Sequence, residues 1–248
     1  MIYDQNFIVA GPYTGRRLAE VLPEIGETFL GKAIVERYGY RLPFIIKFLD
    51  TAQWLSVQVH PDDEYARKYE ANSGWLGKAE VWMVLEAEPD AQIIYGVKRP
   101  VSREELRAAA LDGSILELLN FVPVKKGDVI YVPPGTIHAL GPGLMILEVQ
   151  QRSDLTYRLY DYNRGRELHL EQALDVAQLI PAKTKKYYFN NNFYFKRDHF
   201  FIKHAKFHKP LPNASSFAIV PLDYRCGQVV SAAAAKYLKS GDYVVAGA

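Results

Sequence analysis

The chain has 248 residues, 49% hydrophobic and 23% charged, which gives room for one large or two small domains with real cores. Thirty basic against 28 acidic residues leave a net charge of +2, a balance that gives no electrostatic footing for a nucleic-acid surface or a membrane patch. Cys226 is the only cysteine, so no intrachain disulfide can form and no thiolate metal site is expected. The opening MIYDQNFIVAGPYTG lacks the basic start and apolar core of an export signal. No run approaches the roughly 18 apolar residues of a membrane span, so a cytoplasmic protein is expected.

Taken in chain order, strand signals dominate. FIIKFLD (44–50) and LSVQVH (55–60) are short and rich in β-branched or aromatic residues. DDEYARKYE (62–70) then carries acids where a helix start prefers them. VWMVLEA (81–87) and AQIIYGV (91–97) read as strands. SREELRAAALDG (102–113) reads as a helix with a capping box, Ser102 with Glu105, that closes at Gly113. SILELLN (114–120) suits a second short helix. DVIYVPP (128–134) and LMILEVQ (144–150) return to strand. HLEQALDVA (169–177) puts Leu170, Ala173, Leu174 and Ala177 on one helical stripe, with His169 opening the helix as a structural residue. LIPAKTKK (179–186) looks like a connection between halves. A faint repeat relates VKKGDVIYVPPG (124–135) to LKSGDYVVAGA (238–248). It suggests two related β-units, the second ending at Ala248, before any counterpart of His138.

Within LSVQVHPDDEYA, Leu55, Val57 and Val59 share one face, and Ser56, Gln58 and His60 share the other. A half-buried strand with a solvated face is the ordinary account of such alternation. Two residues elsewhere shift the balance. Glu80, in GKAEVW, starts a strand, and His138, in PPGTIHAL, follows another. Gln58, His60, Glu80 and His138 together supply two imidazoles, a carboxylate and an amide oxygen, a donor set suited to zinc or a related divalent ion. Lys78 lies two residues before Glu80, so an extended chain points both the same way.

Four blocks, LSVQVHPDDEYA, GKAEVWMVLEAEPDAQIIYG, VKKGDVIYVPPGTIHALG and ILEVQQRSDLTYRLYDYNR, occur in the same order as in the type I phosphomannose isomerases (mannose-6-phosphate isomerases). The resemblance is to the short bacterial form and runs from about residue 11 to 180, with a weaker trace beyond. It implies an all-β fold of tandem cupin (jelly-roll) units. It also implies one Zn2+ per chain, held by Gln58, His60, Glu80 and His138, and interconversion of mannose 6-phosphate and fructose 6-phosphate. The generic cupin pattern clusters two histidines and a glutamate; here Gln58 replaces the first histidine and Glu80 lies far beyond His60.

The chemistry so implied moves a proton between C1 and C2 of an open-chain sugar phosphate, and its hard species is the enediolate. A nearby divalent ion, acting directly or through bound water, offsets that charge. The resemblance sets Arg158 beside the reacting carbons and makes Lys78 and Glu148 candidates for substrate contact and proton transfer. Ser56 and Arg164 are the candidate phosphate contacts; Arg164 stands where longer relatives carry a lysine. No Walker or dinucleotide fingerprint is present. The expected partner is a small sugar phosphate, with neither nucleic acid nor membrane, and the protein is expected to be a monomer or homodimer.

The expected organisation is a catalytic cupin domain over 1–180, with a helical insertion near 102–120, and a smaller degenerate cupin domain over 186–248. Two other functions fit parts of the pattern. One is a non-catalytic sugar-phosphate-binding relative. The other is a metal-dependent cupin oxygenase, for which His60, Glu80 and His138 would form the facial set. The second histidine cluster, His199, His204 and His208, is crowded by Lys203, Lys206 and Lys209 and has no acidic ligand within it; a basic β-region without metal is expected there.

Overall fold

The computed structural model describes residues 4–8, 12–190, 193–197, 201–206, 218–221 and 242–247. The chain divides into two compact units, one formed by Met1–Lys47 with Phe189–Ala248 and the other by Phe48–Tyr188. In the first unit, helices α1 (Leu18–Leu30) and α2 (Lys32–Tyr38) close a small core of Leu22, Leu30, Ile34 and Leu42. Near its other end, four strands pair antiparallel in the order β11-β12-β14-β13: β11 (Tyr194–Lys196), β12 (Phe201–Lys206), β13 (Ala218–Pro221) and β14 (Asp242–Gly247). β14 is the strand of the second repeat copy. His199, His208 and Cys226 lie outside the described residues, as does the side chain of His204.

The unit Phe48–Tyr188 contains two five-stranded sheets. One has the order β1-β8-β3-β6-β10, from β1 (Phe44–Thr51, of which Phe48–Thr51 belong to this unit), β3 (Glu80–Ala87), β6 (Asp128–Val132), β8 (Leu144–Gln151) and β10 (Lys186–Tyr188). The other has the order β5-β4-β7-β2-β9, from β2 (Val57–Val59), β4 (Gln92–Val97), β5 (Leu119–Pro123), β7 (His138–Leu140) and β9 (Tyr157–Tyr160). Helices α3 (Asp63–Tyr69), α4 (Arg103–Asp112) and α5 (Leu170–Val176) complete the unit.

Residue alternation assigns the faces of the second sheet. Val57, Val59, Ile94, Ala139, Tyr157 and Leu159 turn outward onto Leu106 and Ala110 of α4 and Ala173 and Leu174 of α5. The opposite face, with Ile93, Tyr95 and Leu140, meets Trp82, Val84, Ile130, Val132, Leu144 and Ile146 of the first sheet. The result is three layers: helices, sheet, sheet. Each interface is apolar, and burial at about 25 cal/mol per Å² of removed surface is what holds the layers together.

The expected all-β tandem cupin (jelly-roll) fold is therefore corrected. The described residues form a mixed α/β architecture with five α-helices, and no strand order returns to its first strand, so the sheets are open and no barrel closes. The open sheets overturn the jelly-roll expectation that the resemblance implied, and part of the unexpected helix lies in the segment 18–38, where no element was expected. Its helical stripe, Leu18, Leu22, Gly26 and Leu30, is interrupted in reading by Pro23, which sits inside α1 and removes a helical hydrogen bond. The expected second helix at 114–120 is a single 3-10 turn, Ser114–Glu117, that leads into β5. The capping box at 102–113 is real: Ser102 Oγ accepts from Glu105 N at 3.0 Å, and Gly113 ends α4 at φ 89°. Among the described residues, no helix is long and apolar enough to cross a membrane.

Candidate metal centre

Three strands of the second sheet bring the polar residues into line. Gln58 in β2 is the pairing partner of His138 in β7 on one side and of Arg158 in β9 on the other. Paired residues project to the same face, so His138, Gln58 and Arg158 form a row across the sheet, on the face toward the first sheet. There Glu80 begins β3, Trp82 follows two residues later on the same face, and Trp82 is the partner of Glu148 in β8. The polar face of 55–60 thus looks into the space between two sheets, where the apolar inter-sheet core gives way to ionisable groups. His60, Lys78, Glu80, His138 and Glu148 are all buried there, His60, Glu80 and His138 to 1% exposure.

Potential ligand atoms of His60, Glu80 and His138 lie within 4.8 Å of one another. His60 Nε2 is 3.2 Å from Glu80 Oε1, and His138 Nε2 is 3.7 Å from Glu80 Oε2. The tautomers follow from the other ring nitrogens. His60 Nδ1 is 2.8 Å from the Leu155 carbonyl, and His138 Nδ1 is 2.8 Å from the Thr136 carbonyl. A carbonyl only accepts, so each Nδ1 carries the proton and each Nε2 turns its lone pair to Glu80. Two imidazole lone pairs and a carboxylate converging in a dry space form an acceptor set that calls for a cation, and these residues fit a divalent ion. Gln58 Nε2 stands 3.2 Å from His138 Nε2; half a turn of the amide would present its carbonyl oxygen to the same point.

The electrostatics are those of a buried cluster built around one carboxylate. Burial, and then the nearby Lys78 charge, push the His60 pKa down to about 3. Burial also lowers His138, against the pull of Glu80. For Glu80 burial works upward, but Lys78 and then His60 outweigh it and hold the carboxyl well below its ordinary range. Burial opposes the Lys78 charge too; Glu80 and Glu148 overcome it and raise that pKa. Lys78 Nζ forms an ion pair with Glu80 Oε1 at 2.8 Å and donates to His60 Nε2 at 3.3 Å. The Trp82 indole N–H is shared between Glu80 Oε2 at 3.2 Å and Glu148 Oε2 at 3.1 Å.

The remaining candidates lie toward the edge of the row. Arg158 Nε donates to Ser56 Oγ at 3.3 Å, and its Nη1 donates to the Glu167 carbonyl at 2.6 Å. His169 stands just before α5 as expected and also faces this strand, its Nδ1 accepting from Arg158 N at 3.2 Å. Arg164 is the most engaged of all. It donates to the Asp161 carbonyl at 3.0 Å, to Asp161 Oδ1 at 2.8 Å and to the Trp54 carbonyl at 2.9 Å. Arg166 also pairs with Asp161, and the turn between Asp161 and Arg164 puts both Tyr162 (φ 53°) and Asn163 (φ 56°) in the left-handed region. Sequence reasoning overlooked Trp82, whose role needs the pairing register to be seen, and Asp161, whose two arginine partners follow it within five residues.

Comparison with known proteins adds a third kind of observation. Residues 13–75 match the family described as phosphomannose isomerase type I, catalytic domain. Mannose-6-phosphate isomerase ManA of Bacillus subtilis is 44% identical over 187 residues, and mannose-6-phosphate isomerase of Streptococcus mutans is 47% identical over 176. Those alignments cover 72% and 68% of this chain but 57% and 52% of the relatives, so the chain matches little more than half the length of these curated proteins. A solved mannose 6-phosphate isomerase from Bacillus subtilis superposes with a TM-score of 0.71 at 32% identity, covering 96% of this chain and 78% of that one. A variant of phosphomannose isomerase from Salmonella typhimurium superposes with a TM-score of 0.64 at 18% identity, a likeness of fold alone.

Proposed function

From its membership of the type I phosphomannose isomerases, we propose that this chain interconverts mannose 6-phosphate and fructose 6-phosphate with one Zn2+ held by Gln58, His60, Glu80 and His138. The observation that carries the reading is the convergence of two Nδ1-protonated imidazoles on one buried carboxylate. A zinc ion bound there supplies positive charge beside the oxygens over which an enediolate spreads its negative charge.

The chain's own residues supply the rest. Burial between the sheets excludes water from the reacting carbons and strengthens each charge–charge interaction. The Lys78 ammonium, fixed against Glu80, is a hydrogen-bond donor to sugar oxygens. Glu148, steadied by the Trp82 N–H, is the candidate carrier of the C1–C2 proton. Arg158, held by Ser56 and the Glu167 carbonyl, sets a fixed cation where negative charge develops. Ser56 and Arg164 take the phosphate; three Arg164 hydrogen bonds go to Asp161 and Trp54, which leaves N–H groups on both terminal nitrogens for an anion. On this reading the catalytic machinery belongs to 48–188, and the reaction is a cytoplasmic one on a small sugar phosphate, carried out by a monomer or homodimer.

The test is a coupled assay of fructose 6-phosphate formation from mannose 6-phosphate, before chelation, after it, and after zinc is restored. Turnover lost with the metal and regained with zinc is the expected result. A folded, zinc-loaded protein with no turnover of mannose 6-phosphate would overturn the reading.

A further inference from the structure

The paired acids of HPDDEYA do two different jobs. Asp62 caps α3, its Oδ1 accepting from Tyr65 N at 2.8 Å. Asp63, the first helical residue, keeps one carboxylate oxygen within the helix, Oδ2 accepting from the exposed Arg67 Nη2 at 3.4 Å, and turns the other outward. Its Oδ1 accepts from Gly77 N at 3.0 Å and from Gln151 Nε2 at 2.6 Å. Gln151, buried to 2% exposure at the end of β8, passes the connection on: its Oε1 accepts from Ala79 N at 3.3 Å, and its own N donates to the Ala79 carbonyl at 2.8 Å. Ser153 Oγ donates to the Leu76 carbonyl at 2.6 Å, and Lys78 N donates to the Pro61 carbonyl at 3.0 Å.

Four consecutive residues, 76–79, are thus each tied at the backbone. This strap runs so close to the start of α3 that a Cβ on Gly77 would overlap Asp62 and Asp63; only glycine fits there. Glu80 has the β3 ladder to hold it, through Val132 and Gln150. Lys78 precedes that ladder, and its placement against His60 and Glu80 depends on the strap.

We propose that Asp63 and Gln151 are positioning residues that clamp the strap and so set where the Lys78 ammonium stands in the site. The clamp works through acceptor geometry: one carboxylate oxygen takes two N–H groups, and an amide extends the connection to Ala79. An asparagine oxygen can do the same, whereas an alanine cannot. The kinetic part of this inference rests on the isomerase reading above; the geometric part does not.

The experiment compares the zinc-loaded parent with Asp63→Ala, Asp63→Asn and Gln151→Met. Acetic anhydride pulse labelling, read by mass spectrometry, follows Lys78 against the exposed Lys125. Asp63→Ala and Gln151→Met should raise relative labelling of Lys78 by roughly tenfold and lower kcat by about 10²-fold. KM and zinc content should hold, and Asp63→Asn should restore both readouts toward the parent. Gln151→Met carries the comparison if Asp63→Ala does not fold. Unchanged Lys78 protection in both disrupted variants would overturn the inference. So would loss of zinc in step with activity, which would place the effect on the metal ligands. An Asp63→Asn variant as impaired as Asp63→Ala would overturn it as well, because charge and not acceptor geometry would then be decisive. Labelling needs no turnover, so a parent without isomerase activity would sink the function alone.

Discussion

His138 and Arg164 show two ways in which one unit holds a polar side chain. His138 is 1% exposed, begins a strand between two paired neighbours, and has its ring fixed by a backbone carbonyl two residues earlier. Arg164 is 28% exposed at its side chain and sits after a left-handed turn, tied to Asp161 three residues back and to Trp54. The first is built into the sheet ladder, the second laid over its edge. On the proposed reading a buried ligand gains from that rigidity, because displacement of either Nε2 would remove one of the two imidazole donors that converge on Glu80. If Arg164 meets the phosphate as proposed, a group that arrives and leaves, it gains from the looser arrangement. The contrast predicts a gradient, with losses deepest at the ladder and shallow at the turn.

The ladder end gives the largest effect. His138→Ala removes one of two imidazole donors from a site whose other polar groups stay buried, so both zinc retention and turnover should be abolished, as read by metal analysis after desalting and by the coupled assay. Retained zinc with undiminished turnover would break the contrast at its strong end.

Acid gives the next effect, and it belongs wholly to the buried pole. The unfolded chain protonates its histidines near pH 6.5, whereas His60 in the fold resists protonation until about pH 3. Below pH 6.5 the unfolded state therefore binds the extra proton, and the metal-free protein loses roughly 1.4 kcal/mol per pH unit from this residue, about 5 kcal/mol by pH 3. His138 is shifted the same way. Glu80, held low, contributes stability that is complete above its ordinary range and is lost as pH falls through its lowered value. Losses of this size rival the whole stability of a domain, so the chelated protein should unfold within that window. Urea unfolding of chelated protein in steps from pH 7 to pH 4 reads it; a level midpoint would show that these groups already titrate freely in the fold.

What could be read in the sequence follows the same division. Period-two alternation put Ser56, Gln58 and His60 on one face, and Lys78 with Glu80, because strand geometry is local. The strands at 44–50, 81–87, 91–97, 128–134 and 144–150 all have counterparts within two residues at each end. The capped helix at 102–113 was legible because its cap and its terminal glycine act within four residues. The pairing of Gln58 with both His138 and Arg158 was not, because register links residues 80 and 100 apart and only the folded sheet fixes it. The same distance hid Trp82 as the donor shared by two carboxylates, and Asp63 and Gln151 as partners. The all-β expectation failed partly at 18–38, where no element was expected and α1 and α2 form, and partly because strand order, which leaves both sheets open, joins residues far apart in the chain.

The shallow end of the gradient is tested by comparing Arg158→Ala with Arg164→Ala. Arg158 occupies the row beside Gln58, and its guanidinium is aimed by Ser56 and by the Glu167 carbonyl. Removal of a fixed cation from a site where negative charge develops costs about 10²–10³-fold in kcat, while Gln58, His60, Glu80 and His138 should keep the metal. Arg164 shares Asp161 with Arg166, so its loss leaves that carboxylate paired and the turn supported. An ionic contact this exposed is worth about 0.2–1 kcal/mol, so Arg164→Ala should act on KM for mannose 6-phosphate by no more than about fivefold. A loss as deep as that at Arg158 would mean that Arg164 leaves Asp161 and closes on the phosphate in the transition state. The turn at Tyr162 and Asn163 would then belong to the moving part of the site, and its two left-handed residues would be the hinge.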